Sequence, residues 1–142
     1  FGAVINDIKT GSLSQGASTI TQQLIKLTHL SSEKTLSRKA QEIVLARQLE
    51  RRLSKDEILE AYLNAVYFGN GALGIQSEAQ VYFGKDASAL TVAEGALLAG
   101  VIKSPSKYAP HLHPENALQR RNYVLSAMAE MGALTQEVAA QA

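Results

Sequence analysis

A short stretch near the start of this sequence carries hydroxyl, amide, cationic and carboxylate side chains close together. Residues 16–23 read GASTITQQ, and Lys26 follows on the same predicted helix. A second predicted helix begins soon afterwards and carries Arg38, Lys39 and Glu42. This mixture can hold a phosphorylated substrate, because cations neutralise phosphate charge while hydroxyls and amides make directional hydrogen bonds. The stretch is therefore the candidate functional region.

The helix start within this region admits two interpretations. In the first, Ser18 or Thr19 is an ordinary N-cap whose hydroxyl accepts a hydrogen bond from a backbone N–H group. In the second, the hydroxyls and exposed N–H groups bind an anion, while Gln22 and Gln23 donate to sugar hydroxyls or phosphate oxygens. Spacing alone leans towards the N-cap and leaves both interpretations open.

The cations of the region also admit two interpretations, which are compatible with each other. Arg38 and Glu42 are four residues apart on one helix face, which predicts a surface ion pair worth roughly a few tenths of a kcal/mol. Alternatively, the cations neutralise a diphosphate leaving group, while Glu42 holds a divalent cation or a cationic side chain. The cations in question are Lys26, Lys34, Arg38 and Lys39.

The composition is that of a folded domain. A chain of 142 residues with 46% hydrophobic and 19% charged residues suits one domain, over residues 1–142. With no cysteine there is no disulfide and no thiolate metal site. No apolar run approaches the roughly 18 residues of a membrane span, so we expect any anchor to lie outside this chain. The three histidines lack ligand spacing, and no carboxylate pair resembles that of a glycosidase.

Charge is unevenly distributed along the chain. Through Lys55 there are nine basic and four acidic residues, whereas the remainder has five basic and nine acidic. The basic half favours an anionic partner such as a phosphate or a lipid headgroup, and it is equally typical of a solvated helix face with ion pairs. Nucleic acid is not a predicted partner, because aromatic residues are few and the basic residues have acidic neighbours.

The hydrophobic pattern has a helical period throughout, so the predicted fold class is all-α, without a convincing alternating strand. Capping boxes at Ser54–Glu57 and Thr91–Glu94 mark two helix starts. A turn is predicted at residues 69–71 and a loop at residues 103–113. The predicted helices cover residues 1–9, 19–30, 35–53, 55–67, 75–83, 92–102 and 114–131, with another beginning near residue 135.

Four segments, in this order, resemble motifs of the peptidoglycan glycosyltransferase (transglycosylase) domain of class A penicillin-binding proteins and their monofunctional relatives. The eight residues 16–23 match the second motif of that family and are highly specific. Residues 82–106 also look like the family, so the resemblance covers nearly the whole chain. The other three motifs are Arg38-Lys39 with Glu42, then Lys55 through Ile58-Leu59 to Tyr62-Leu63-Asn64, then Arg120-Arg121 with Val124-Leu125.

The resemblance implies a lysozyme-like helical fold, incomplete at the N-terminus, on the outer face of the bacterial cytoplasmic membrane. The implied substrates are lipid II and a glycan linked to polyprenyl diphosphate. The strand would pass from that diphosphate to the 4-hydroxyl of lipid II with inversion, aided by a divalent cation such as Mg²⁺ or Mn²⁺. The membrane surface, moenomycin-type inhibitors and a C-terminal transpeptidase domain in the parent protein are the other implied partners.

The resemblance also assigns roles to residues. Glu42 matches the second catalytic glutamate, which helps the diphosphate leave and contacts its divalent cation. Lys34 stands where many relatives have arginine, so the charge is kept and the bidentate geometry is lost. The fourth and fifth motifs are expected to serve the fold more than the chemistry. The implied substrate-binding residues are Ser18, Thr19, Gln22, Gln23, Lys26, Lys34, Arg38, Lys39 and Asn64.

The family's first motif would lie upstream of Phe1 and holds the glutamate that deprotonates the acceptor hydroxyl. We therefore expect the chain as given to bind substrate without polymerising it. Glu42 is expected to be an exposed acid that shares one cleft with Lys26 and Lys39. The alternative function is a non-catalytic helical adaptor with a basic, anion-binding face. Binding of lipid II or a moenomycin-like inhibitor that depends on Lys39 and Glu42 would distinguish the two.

Overall fold

A computed structural model describes residues 18–29 and 36–142, and these residues are mainly helical, with very little strand. The all-α prediction is confirmed. The elements fall into two compact units, with the boundary between Tyr62 and Leu63. The helix predicted over residues 1–9 lies outside the described residues, and the single-domain assignment stays a prediction.

The first unit contains α1 (Ile20–His29), α2 (Leu36–Glu50) and most of α3 (Lys55–Ala65). Helices α1 and α2 pack against each other. On α1 the buried positions recur at helical spacing, which gives the helix one apolar face. Among the described residues of the unit, the buried side chains are Thr21, Leu24, Ile25, Glu42, Ala46, Ile58 and Tyr62.

The second unit is built on the packing of two helices, α5 and α7, against each other. Gly100 permits their close approach, since a Cβ atom there would lie 2.9 Å from Cγ of Arg120. Phe68, Leu98 and Val101 are buried in its core. The elements of this unit are β1 (Tyr67–Gly69), β2 (Ala72–Leu73), α4 (Ile75–Phe83), a 3₁₀ turn (Ala87–Ala89), α5 (Val92–Val101), α6 (Pro105–Tyr108), α7 (Pro114–Glu130) and α8 (Gln136–Gln141).

Both predicted capping boxes are present. The Ser54 hydroxyl accepts from the backbone N–H of Glu57 at 3.3 Å, and the Glu57 carboxylate accepts from the backbone N–H of Ser54 at 2.7 Å. Thr91 and Glu94 make the same reciprocal pair. Glu94 also accepts from Nζ of Lys85 at 2.7 Å, which lowers the pKa of the Glu94 carboxyl below its ordinary value. These local hydrogen bonds fix the starts of α3 and α5.

A short antiparallel hairpin, β1–β2, was not predicted. The residues of the predicted turn adopt left-handed conformations, with φ of 51° at Asn70 and 77° at Gly71. Asn-Gly is the dipeptide that two-residue hairpin turns favour. Strands of three and two residues are too short to show an alternating pattern, so only the turn was recognisable in the sequence.

Glu78, in the first turn of α4, is fully buried beside the hydroxyl of Tyr82. Its relative exposure is 0%, and both carboxyl oxygens are buried. Burial raises the pKa of the Glu78 carboxyl. The hydroxyl of Tyr82 is buried too, and its pKa is raised to about 12 by burial and by the neighbouring carboxyl of Glu78. A neutral acid is the less costly form at this position.

Stability should therefore fall with rising pH because of Glu78. The folded chain holds this proton more tightly than the unfolded chain, whose carboxyl has a pKa near 4.5. The contribution is complete below that value and is lost as the pH rises through the raised folded pKa. Glu78→Gln should gain stability relative to the wild type across this window, by up to about 1.4 kcal/mol per pH unit. Urea unfolding between about pH 4 and about pH 8 measures it.

Glu57→Gln is the matched control with the opposite sign. Glu57 is exposed, and its hydrogen bonds to Ser54 lower the pKa of its carboxyl. Its contribution is present above the unfolded pKa and is lost as the pH falls. Identical pH profiles for the wild type and Glu78→Gln would contradict a raised pKa of Glu78 in the folded chain.

Candidate functional site

The buried face of α2 carries a carboxylate in place of a run of apolar side chains. Glu42 is 3% exposed and lies one turn from the buried Ala46, whereas Leu36 and Val44 are 90% and 55% exposed. The expectation that Glu42 is an exposed acid is therefore wrong. Since a buried carboxylate is costly unless it is paired, its partner determines the local structure.

That partner is Lys39. Its Nζ lies 2.8 Å from Oε2 of Glu42, three residues further along the same helix. The same Nζ donates to Oγ of Ser18 at 2.9 Å. The side chain of Lys39 is 42% exposed and that of Glu42 only 4%, so the pair runs from solvent into the interior of the unit. The sequence predicted that Arg38 would pair with Glu42, and the structure shows Lys39 as an ion-pair partner of Glu42.

The start of α1 is a capping box that the sequence analysis did not identify. Oγ1 of Thr19 accepts from the backbone N–H of Gln22 at 3.2 Å, and Oε1 of Gln22 accepts from the backbone N–H of Thr19 at 3.3 Å. The ordinary N-cap interpretation thus applies to Thr19, with Gln22 as its reciprocal partner. The hydroxyl of Ser18 instead accepts from Lys39, which links the helix start to α2.

Gln23 extends this set of contacts towards α3. Its Nε2 donates to the backbone carbonyl of Ser18 at 3.2 Å, and its Oε1 accepts from the hydroxyl of Tyr62 at 2.9 Å. Tyr62 is 5% exposed, and burial raises the pKa of its hydroxyl. Tyr62 belongs to the fourth motif, which was expected to serve the fold. In the sequence, the only indication of this contact is that Tyr62, which carries a hydroxyl, lies one turn after Ile58 on the apolar face of the predicted helix.

Of the predicted site residues, four form one connected arrangement, which we call the Glu42 cluster: Ser18, Gln23, Lys39 and Glu42. Lys26 is exposed on α1, Arg38 is half-buried on α2, and Lys34 lies outside the described residues. The four residues of the cluster lie just before α1, on α1 and on α2, which are the segments that the second and third motifs cover.

Asn64 lies outside the Glu42 cluster, and its observed contact is made by its backbone. It is exposed near the end of α3, and its backbone carbonyl lies against Gly74. A Cβ atom on Gly74 would lie 2.8 Å from that carbonyl oxygen, and Gly74 has a φ of 83°. The described contact of Asn64 therefore serves the packing of the chain after α3, and its predicted role in substrate binding stays a prediction.

The Glu42 cluster does not fit a divalent cation held by the protein. No group of three His, Asp or Glu side chains converges in residues 18–29 and 36–142. Glu42 supplies a single carboxylate, which is already paired with Lys39. Mg²⁺ requires six oxygen ligands and takes most of them from water, substrate phosphates and one or two carboxylates. The divalent cation therefore stays a prediction.

A separate groove of about 490 Å³ lies in the first unit, and none of its lining residues belongs to the Glu42 cluster. Its lining combines apolar and charged side chains. They include Ile20, Ile58 and Leu59 together with Glu50, Lys55 and Asp56. The concave surface and the charged cluster are thus different features, and the hydrogen bonds rather than the groove define the candidate site.

Comparison with known proteins places this geometry in context. A family model described as transglycosylase matches residues 1–129. Penicillin-binding protein 1A of Streptococcus oralis is 52% identical over 140 residues, which are 96% of this chain and 22% of that protein. Penicillin-binding protein 1A of Aquifex aeolicus is 51% identical over 135 residues, 95% of this chain and 19% of that protein.

A solved structure is similar as well. The crystal structure of penicillin-binding protein 1A from Haemophilus influenzae has a TM-score of 0.58 and 27% sequence identity to this chain. The match covers 92% of this chain and 16% of that one. The chain therefore spans about a fifth of the length of the proteins that it matches.

The pairing of Lys39 with a buried carboxylate predicts a stability cost when the cation is removed. Lys39→Met keeps most of the side chain's length but leaves Glu42 uncompensated. Breaking a fully buried pair costs several kcal/mol, and the partial exposure of Lys39 reduces the expected loss to about 1–2 kcal/mol. Urea unfolding at neutral pH measures the loss.

Arg47→Met is the control for this measurement. Arg47 is exposed on the same helix, so its replacement removes one positive charge without exposing a buried partner. Its free energy of unfolding should change by no more than about 0.5 kcal/mol. Equal losses for the two variants would show that Glu42 does not need Lys39.

Proposed function

This chain belongs to the transglycosylase family, and from that membership we propose that it polymerises the glycan strands of peptidoglycan. In the proposed reaction the growing strand leaves its polyprenyl diphosphate and joins the 4-hydroxyl of lipid II. The bond between the anomeric carbon and the diphosphate oxygen breaks, and the diphosphate departs with the electron pair. A bond from the acceptor oxygen forms on the opposite face of the sugar, which inverts the anomeric carbon.

The observation that carries this proposal is the position of Lys39 between Ser18 and Glu42. An ammonium group has three N–H donors, and these two contacts use two of them. The third is available to a phosphate oxygen, because the side chain is 42% exposed. A cation held in this way stabilises negative charge as it develops on a leaving diphosphate, without needing to reorganise.

Glu42 acts in this proposal through Lys39. Its burial prevents water from competing for the ion pair, so the carboxylate fixes the direction of the ammonium group. The proton of the acceptor hydroxyl passes to a general base. The resemblance assigns that base to the family's first motif. The divalent cation, also a proposal, would screen the diphosphate charge on the substrate side.

We place the reaction at the outer face of the cytoplasmic membrane, where both proposed substrates are held by polyprenyl chains. The names of the relatives, penicillin-binding protein 1A, support a cell-wall role. In the described part of this chain no helix is both long and apolar enough to cross a bilayer. A transpeptidase domain in the parent protein and inhibition by moenomycin-type compounds are parts of the same proposal.

Replacing the buried carboxylate tests the proposal directly. In the full-length protein, Glu42→Gln should lower the rate of lipid II polymerisation by about 10²–10³, because an amide cannot fix the ammonium group of Lys39 by charge. The rate is measured with purified lipid II by separating polymer from substrate. Glu50→Gln, which alters an exposed acid at the end of the same helix, should keep normal activity. Near-normal polymerisation by Glu42→Gln would refute the role.

A pair of charge-matched variants separates the enzyme from the adaptor alternative. Lys39→Ala should weaken binding of a moenomycin-type inhibitor by about tenfold or more, since it removes a charged hydrogen bond to a phosphate. Arg51→Ala removes one positive charge from an exposed position just after α2 and should have little effect. Isothermal titration at low and high salt compares them. Equal losses that salt abolishes would favour a general basic surface.

A further inference from the structure

The contacts of the Glu42 cluster continue beyond its four residues to a buried phenol. The hydroxyl of Tyr62 lies 2.9 Å from Oε1 of Gln23, and Nε2 of Gln23 lies 3.2 Å from the carbonyl oxygen of Ser18. Tyr62 and Gln23 are 39 residues apart in the sequence, so this bond joins α3 to α1. No resemblance or comparison assigns Tyr62 a part in the reaction.

The direction of each hydrogen bond follows from the chemistry of the partners. The backbone carbonyl of Ser18 can only accept, so the amide of Gln23 must present its nitrogen to it. The amide oxygen then faces Tyr62 and can only accept, so the phenol must donate. Burial raises the pKa of Tyr62, which keeps the phenol protonated at neutral pH. The orientation of the Gln23 amide is therefore held from both ends.

Ser18 is the residue at which these contacts reach the ion pair. Gln23 holds its carbonyl group, and Lys39 donates to its hydroxyl at 2.9 Å. A change in the position of the Ser18 backbone would move the acceptor of Lys39 and hence the ammonium group beside Glu42. Lysine has a long, flexible side chain, so the loss of one of its two hydrogen-bonding partners would allow the ammonium group to adopt many more rotamers.

We propose that Tyr62 is a positioning residue for glycan transfer: its hydroxyl fixes Gln23, which holds Ser18 where it can orient Lys39. This inference rests on the proposed function of the Glu42 cluster. Tyr62 does not touch the reacting atoms, and its influence passes through three residues. An error of about 1 Å in the placement of a group that acts on the transition state can cost on the order of 10² in rate.

The test is a double-mutant cycle in the full-length protein with lipid II as substrate. Tyr62→Phe removes only the hydroxyl and should lower kcat about tenfold, with KM changed less than about twofold. Gln23→Met removes the amide and should lower activity by itself. In the Gln23→Met background, Tyr62→Phe should have no further effect, because the route through Gln23 is already broken. A general loss of packing would instead reduce activity by the same factor in both backgrounds.

Tyr82→Phe is the matched control. Tyr82 is a half-buried tyrosine whose buried hydroxyl lies beside Glu78 and does not belong to the Glu42 cluster, so its removal should leave kcat and KM unchanged. Unchanged kcat in Tyr62→Phe, or equal losses in both Gln23 backgrounds, would overturn the inference while the proposed function stands. If the wild-type protein does not polymerise lipid II, the proposed function fails and the inference fails with it.

Discussion

A buried carboxylate stays ionised at low cost only with a cation beside it, and the first unit is arranged around that requirement. Glu42 takes Lys39 as its partner, and Lys39 takes a second anchor from Ser18. Ser18 is in turn held through Gln23 by Tyr62. Each group satisfies the hydrogen-bonding needs of the next, so one electrostatic constraint connects α1, α2 and α3.

The elements that depend on neighbouring residues were predictable from the sequence. The starts of α3 and α5 follow from capping boxes closed within three residues, and the end of α4 follows from Gly84, whose left-handed φ of 62° suits glycine. The order of the motifs also predicted that Ser18, Lys39 and Glu42 belong to one region. Local hydrogen bonds and motif spacing both depend on the order of residues in the sequence, which is why they could be predicted from it.

The features that depend on distant residues were not predictable in the same way. The hydrophobic pattern has a helical period, yet the observed packing of α2 buries Glu42 and leaves Leu36 and Val44 exposed. A pattern of hydrophobicity cannot reveal that a carboxylate will find a lysine and a serine 21 residues before that lysine. The bond from Tyr62 to Gln23 spans an even longer separation, so it too required the folded chain.

The inverted burial of α2 has a consequence for how this helix can vary among sequences. At exposed positions such as Leu36 and Val44, replacement by polar residues removes little buried surface, so the fold itself imposes little selection there. At position 42 the surroundings are shaped for a charge, and a leucine would leave the ammonium group of Lys39 without its carboxylate. In α2 the exposed apolar positions Leu36 and Val44 are therefore tolerant of substitution, whereas the buried acidic position 42 is not.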